Sequence, residues 1–500
     1  MDKAEAAEAV LPAQGGTQVG TPQEPAEGTG GGRRRLDARF DPWLLSAVFF
    51  VLYAALSVTR YRRMLTMSWD LGIFEEAIKG YAHLHAPIAD LKGPGFNELG
   101  DHFSPITALV SPFYRVFPSP VTLLVAQAVL FALSAVPITR VAAWALGRRR
   151  GLMVGVAYGL SWGVQRAVDF DFHEVAFAMP LLAFALEALI RRRWHTAMWW
   201  SLPLVLVKED LGASVALIGL VVLLRAREDD EGTGPRTSAY AIALMAFGVL
   251  SSALEIKVLI PHFYGPGYDA FNHINGDGAL TGHIPVDTAI RTLLWILVPA
   301  GGLLALRSPL MLVALPTIGW RFISHYPENW GTAWHYSAVL MPVVFLAFVD
   351  AAFGLTGKGA AKDAGDAGRS RRNLVAYAAA LPAAMAGAAL ALSTQLPVAT
   401  LTHTDTYKVN AHTKAVEKLL DQIPSGSTVE ANVGPISRLV HRTTVYWVGG
   451  SKGVVPDYMA LDNGSGWVQD PVGYASQLHP QAHFAVIASA EGYVILHRTS

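Results

Sequence analysis

Residues 167–177 read AVDFDFHEVAF and gather Asp169, Asp171, His173 and Glu174 into an otherwise apolar stretch. Carboxylates and an imidazole at this density suit cation binding. Hard oxygen ligands with one imidazole hold a divalent cation such as Mg²⁺ or Mn²⁺. In an extended segment Asp169, Asp171 and His173 point to one side. In a helix Asp169 and His173 lie one turn apart, and Asp171 neighbours Glu174 instead. Both geometries stay open at this level. Three further stretches carry related groups: SWDLGIFEEAIKGYAHLH with Asp70, GDHFSP with Asp101 and His102, and VKEDLG with Lys208, Glu209 and Asp210.

The elements that must position these groups are membrane spans. Hydrophobic residues make up 52% of the 500 and charged residues 16%, a balance that predicts a polytopic membrane protein. A formal net charge of +0, with no basic run beyond a few triplets, leaves nothing to hold a nucleic-acid backbone. The absence of cysteine excludes disulfides and thiolate chemistry. Thirteen tryptophans and sixteen tyrosines fit many membrane interfaces. Residues 1–40, rich in Ala, Gly, Glu and Pro, read as a disordered cytoplasmic tail. Apolar runs predict about eleven spans, near 43–60, 121–146, 152–167, 175–190, 195–208, 211–225, 238–260, 288–306, 309–323, 336–355 and 374–396. FSPITALVSPFYRVFPSP, broken by prolines, reads as a re-entrant or interfacial piece.

Basic clusters orient the path, because positive residues favour the cytoplasm. Arg33–Arg35, Arg148–Arg150, Arg191–Arg193, RAREDDEGTGPRTS and KGAAKDAGDAGRSRRN all fall on one face when the N-terminus is inside. The first outer loop is then 61–120, and the C-terminus ends outside. Arg60, Arg62 and Arg63 stand against the rule. In this topology all four charged stretches share the outer side, where charge at membrane depth is functional unless it is paired. The bland readings are an amphipathic helix with Glu75, Glu76 and Lys79 on its wet face, and a structural ion pair of Lys208 with Glu209 or Asp210.

The ordered set WDLGIFEEAI, LGDHFSPITALVSPFY, FDFHEVAFAMPLL, LVKEDLG and HYSAVLMPVV resembles the landmarks of the DUF2079 family of bacterial integral membrane proteins, from about residue 68 to 350. That family is grouped with the GT-C glycosyltransferases. The resemblance therefore implies a multi-span helical bundle, a first outer loop with amphipathic helices and an acidic residue, and a polyprenyl-phosphate-linked sugar donor. Asp70 matches that acidic residue in place and becomes the expected base, with Asp101 and His102 returning to it from the end of the loop. Asp169, Asp171, His173 and Glu174 are the expected divalent-cation ligands.

An Asp-x-Asp step often signals a metal-bound nucleotide sugar, but nucleotide sugars are cytoplasmic and these residues are expected outside. A lipid-linked donor is the compatible partner. Its phosphate would meet Lys208, beside Glu209 and Asp210, with Arg166, Arg321 or His335 as further contacts and Tyr336 in the adjoining aromatic loop. Trp330 and Trp334 in the same aromatic loop suit stacking on a sugar or, more commonly, a membrane belt. The competing classes are a membrane transporter, which predicts charge spread through the bilayer and inverted repeats, and a non-catalytic envelope protein.

Residues 397–500 change character. AHTKAVEKLLDQIP has helical periodicity, GSTVEANV, RTTVYWVG and DYMALDN read as strands, and HFAVIASAEGYVILHR as a hairpin around Glu491-Gly492. The expectation is a small extracytoplasmic α/β domain. It carries no nucleophile elbow, phosphate loop or metal pattern, which suggests binding or covering.

Overall fold

The computed structural model describes residues 37–228, 235–266, 268, 283–356 and 369–500. The tail up to residue 36, and parts of the loops RAREDDEGTGPRTS, PHFYGPGYDAFNHINGDGALTGH and KGAAKDAGDAGRSRRN, lie outside the described residues, so the expectations made for them are not addressed by the structure.

Long apolar runs become helices because no other backbone satisfies its own polar groups without water. The helices are α1 (Asp41–Arg62), α2 (Trp69–Ala82), α3 (Ser111–Val116), α4 (Pro120–Leu146), α5 (Arg148–Gly159), α6 (Trp162–Asp169), α7 (Val175–Ile190), α8 (Trp194–Ser201), α9 (Leu211–Glu228), α10 (Pro235–Leu254), α11 (Ile260–Tyr264), α12 (Val286–Leu297), α13 (Leu315–Ile323), α14 (Leu340–Thr356) and α15 (Arg369–Ser393). Among the described residues, five helical stretches are long and apolar enough to cross a membrane: Ala38–Arg62, Pro120–Leu146, Arg236–Tyr264, His335–Thr356 and Ser370–Ser393. All eleven expected spans fall on helix, but several are broken. The span expected at 152–167 divides at Leu160-Ser161 into α5 and α6. The pair at 288–323 is interrupted by Gly301 and Gly302, both at positive φ, and by the 3-10 turns Gly302–Arg307 and Pro309–Ala314. FSPITALVSPFYRVFPSP forms a 3-10 turn and the short α3, in keeping with its prolines.

The discordant basic cluster has a local explanation. Arg60 Nη1 lies 2.9 Å from Asp169 Oδ1, so part of its charge is neutralised by the α6 end.

The C-terminal domain contains α16 (Ala411–Leu420), β1 (Thr428–Ala431), α17 (Val433–Leu439), β2 (Thr444–Trp447), β3 (Tyr458–Asp462), α18 (Pro471–Leu478), β4 (Phe484–Ala490) and β5 (Tyr493–Arg498). The sheet order is β2-β1-β3-β5-β4. β1 runs parallel to β2 and β3, while β5 pairs antiparallel with β3 and β4. Glu491, at φ 54°, and Gly492, at φ 84°, make the expected hairpin turn. Helices α17 and α18 were not anticipated, being short and interrupted by Gly-Pro and Pro-Val-Gly sequences that lower helix propensity.

This domain does not stand apart. Val429, Ala431, Ile436, Leu439, Val440 and Ile495 share one core with Ile73, Ala89 and Leu91 of the segment between α1 and α4. The opposite side of α2 packs Leu71, Phe74 and Ile78 into the core of the helical bundle. Helix α2 is thus buried on both sides. The wet face expected for it is an internal interface instead: Glu75 is fully buried and accepts from the Tyr114 hydroxyl at 2.9 Å. Glu76 accepts from the Leu91 N–H at 3.0 Å, and the Lys79 ammonium donates to the Val440 carbonyl at 2.9 Å. Burial pushes the Glu75 carboxyl up to about 8.

Candidate functional site

Asp70 occupies the first turn of α2, where a carboxylate is favoured by the exposed backbone N–H groups. Its Oδ1 stands 3.8 Å from Nε2 of His173. Burial alone would raise the Asp70 pKa, but His173, Lys92 and His102 outweigh it and hold the carboxyl below its ordinary value. Asp70 is therefore ionised at neutral pH.

The DFDFHE stretch adopts neither the extended nor the helical geometry. Helix α6 ends at Asp169 and α7 begins at Val175, and Asp171 between them has φ 76°, a left-handed conformation that aspartate tolerates better than most residues. The turn sends the four side chains to different partners. Asp169 pairs with Arg60, and Asp171 Oδ2 accepts from the Met67 N–H at 2.8 Å. His173 faces Asp70, and Glu174 Oε1 meets the Lys208 ammonium at 3.0 Å. Among the described residues no three His, Asp or Glu side chains stand together as a metal ion would require. The four expected ligands are thus not arranged as a donor set.

Gln127, a buried residue on α4, holds the backbone of this turn. Its Nε2 donates to the Asp171 carbonyl at 2.6 Å, and its Oε1 accepts from the His173 N–H at 3.0 Å. The His173 ring then stacks on His335, centroids 3.8 Å apart and planes 24° apart, with Phe170 at 5.0 Å and Phe74 at 5.5 Å. The signal for Gln127 was a lone amide inside the apolar run LLVAQAVLFAL.

The VKEDLG turn precedes α9. Glu209 accepts from the Phe103 N–H at 3.3 Å, and its Oε1 lies 3.1 Å from Nδ1 of His102. Burial opposes ionisation of Glu209, but His102 and Lys208 more than offset it and lower its carboxyl to about 2. Burial raises Asp210 to about 6. Lys208 pairs with Glu174 across the turn, so the expected local ion pair with Glu209 or Asp210 is replaced by one that links two chain segments. Asp101 pairs with Lys92, which also lies 3.3 Å from Glu98. Glu255, buried in a π-turn at the end of α10, adds a carboxylate outside the four charged stretches. Its signal was a single acidic residue in an apolar helix, and π-turns often mark functional sites.

Arg321 is buried and donates to the carbonyls of Asn329 and Gly331, both at 2.9 Å, and to the Ser337 hydroxyl at 3.1 Å. It braces the aromatic loop that carries His335. Trp334 packs edge-on against Phe170 at 4.8 Å, and Trp330 donates to the Ser324 carbonyl.

Beside the stacked histidines lies a small cavity of about 20 Å³, room for about one water, lined by Val175, Leu211 and Val339 together with Lys208, Asp210, Thr317, Trp320, His335 and Tyr336. Four buried polar atoms of this wall have no hydrogen-bond partner: Asp210 Oδ1, Thr317 Oγ1, Trp320 Nε1 and His335 Nδ1. Orphaned buried donors and acceptors are costly and call for a ligand or water. The structure thus joins Asp70, His173 and His335 to Lys208 and Asp210, with His102 and Glu209 behind them. Asp169, Asp101 and Arg321 are engaged elsewhere.

A helical membrane domain with its charged groups gathered at helix ends, and a small sheet domain packed on the first loop, is similar to a known architecture. The crystal structure of ArnT from Cupriavidus metallidurans bound to undecaprenyl phosphate matches with a TM-score of 0.51 at 15% identity, over 91% of this chain and 97% of that one. The apo state of the same protein matches with a TM-score of 0.48 at 14% identity, over the same shares. The chain is a helical membrane protein with a GT-C-like fold. It belongs to the DUF2079 family, described as predicted membrane proteins, whose model matches residues 60–494. A comparison with curated proteins returned no match.

Proposed function

We propose that the protein is a glycosyltransferase that moves a sugar from a polyprenyl-phosphate donor to an acceptor on the outer face of the cytoplasmic membrane. In this reading the N-terminus is cytoplasmic and the C-terminal domain extracytoplasmic. The observation that carries it is Asp70, 3.8 Å from His173, whose ring stacks on His335 in the wall of a small cavity with unpartnered polar atoms. The fold adds support, because the similar ArnT structure holds undecaprenyl phosphate.

The chemistry follows from the groups present. Asp70 takes the proton from the acceptor hydroxyl as that oxygen bonds to the anomeric carbon. The bond from that carbon to the phosphate oxygen breaks, and the electron pair leaves with the polyprenyl phosphate. The Lys208 ammonium has three N–H donors and gives one to Glu174; together with Trp320 and Thr317 it can meet the charge developing on the phosphate. The expected divalent cation has no preformed donor set here, so no step is drawn through it.

Full-length protein in lipid nanodiscs, supplied with synthetic polyprenyl-phosphate sugars and cell-envelope fractions, should release polyprenyl phosphate and label an acceptor. Asp70→Asn should do neither. Equal labelling by that variant refutes the assignment of the base. A reporter fused after Ser500 should be reachable from outside the cell and one inserted at Arg192 only from the cytoplasm; finding both on one side overturns the topology.

A further inference from the structure

The backbone that delivers Asp70 from α1 to α2 passes through conformations that side-chain-bearing residues rarely adopt. Met64 has φ 55° and Ser68 has φ 54°, the latter two positions before Asp70. Such a path persists only where its surroundings over-determine it.

Two parts of the molecule do so. From the helical bundle, Asp171 accepts the Met67 N–H at 2.8 Å. From the C-terminal domain, the Ser437 hydroxyl lies 2.7 Å from that of Ser68, and both residues are buried. Thr66 completes this hydroxyl group, 3.2 Å from Ser68 Oγ. The next residue of α17, Arg438, donates to the Tyr61 carbonyl at 2.6 Å and lays its guanidinium 3.9 Å from the Tyr61 ring centre. Glu417 of α16 holds Arg438 from behind at 3.1 Å. Trp447 of β2 meets Trp69 edge-on at 4.8 Å.

His173 is fixed independently, by Gln127 on α4. The distance between Asp70 and His173 is therefore set at one end by the bundle and at the other by the C-terminal domain together with the bundle contacts of Met67 and α2. We infer that the C-terminal domain is a positioning element for Asp70, with Ser437 and Arg438 as positioning residues that hold the segment from Tyr61 to Trp69. The chemical consequence rests on the transferase reading, since a displacement of about 1 Å in a reacting group lowers rate on the order of a hundredfold. The mechanical part stands without it.

The test uses the full-length chain in nanodiscs. Hydrogen exchange followed by mass spectrometry compares the parent with Ser437→Ala. The peptide covering 62–70 should exchange about tenfold faster in the variant, with peptides of 171–177 and of β1 unchanged, and Ser437→Thr should restore the parental rate. Equal exchange in that peptide overturns the inference. If Ser437→Ala does not fold, Arg438→Lys, which keeps the charge but loses the planar fork, gives the same comparison.

Transfer is read separately. In an active parent, Ser437→Ala should lower kcat about tenfold or more at unchanged KM for the lipid donor and move the acid limb of the pH profile; unchanged kcat and profile overturn the inference. A parent that shows no transfer, together with faster exchange in the variant, leaves the positioning role standing and removes the transferase reading instead.

Discussion

Asp70 Oδ1 and His173 Nε2 stand 3.8 Å apart, within ion-pair reach but too far for a hydrogen bond. The carboxylate is stabilised by its basic neighbours and still has acceptor capacity for an incoming hydroxyl. Its depressed pKa makes this arrangement favourable above the ordinary carboxylate value and lost as pH falls through the lower, folded-state value.

Replacing Asp70 by Asn should reduce transfer by roughly 10²–10⁴-fold, the usual contribution of a positioned general base. His173→Gln should act differently. It removes the neighbour that helps hold the Asp70 proton off, so the acid limb of kcat/KM should move to higher pH while the plateau survives in part. An unmoved acid limb would show that His173 does not govern Asp70.

Lys208 and Glu174 form a buried pair, 3.0 Å apart, between two chain segments. Lys208→Met leaves Glu174 buried without its cation and should cost about 3–5 kcal/mol, seen as a large fall in the apparent melting midpoint. Adding Glu174→Leu should return most of that loss but no transfer. A double variant as unstable as the single one would show that Lys208 is held mainly by Glu209 and Asp210.

These two pairs show what the sequence could and could not display. Charged residues in an apolar chain stand out one by one, and the path of spans brought their stretches to one side, so Asp70, His173 and Lys208 were all visible as candidates. Their pairing was not. Asp169, Asp171, His173 and Glu174 are close in sequence, yet the single positive φ at Asp171 turns them to four different partners, and no periodicity reports a one-residue left-handed turn. Glu75 and Glu76 looked solvated because their spacing is that of an amphipathic helix, which does not show that Tyr114 and the Leu91 N–H fold back onto them. Ser437 gave no signal, since a serine hydroxyl becomes informative only when its partner is known.

Gly100 marks where the segment between α2 and α3 touches α11. A Cβ there would run into the backbone of Phe263 and Tyr264, which cannot move aside as a side-chain end can. Gly100→Ala should destabilise the protein by about 1–3 kcal/mol, the common range for overpacking, and should weaken transfer because Asp101 and His102 follow directly. A variant with parental melting and parental kinetics would show that the loop and α11 part readily.

Asp171, whose stretch first suggested a cation site, provides the decisive pH measurement. Burial raises its carboxyl to about 7, only partly opposed by the Met67 N–H and Arg60. With the folded pKa above the unfolded one, its contribution is most favourable below about pH 4 and is lost as pH rises to about 7, where the buried group must ionise. Asparagine keeps an acceptor for the Met67 N–H, tolerates the left-handed backbone and never ionises. Asp171→Asn should therefore match the parent near pH 4 and exceed it increasingly up to about pH 7. The advantage should then level off at about 4 kcal/mol, the free energy that separates a carboxyl titrating near 7 from one in the ordinary range. Melting midpoints in nanodiscs across that range, with and without Mg²⁺ or Mn²⁺, measure it. A parent that is instead more stable than the variant at pH 8 only when the cation is added would show that Asp171 ionises to receive a metal, and would return this turn to the role its composition first suggested.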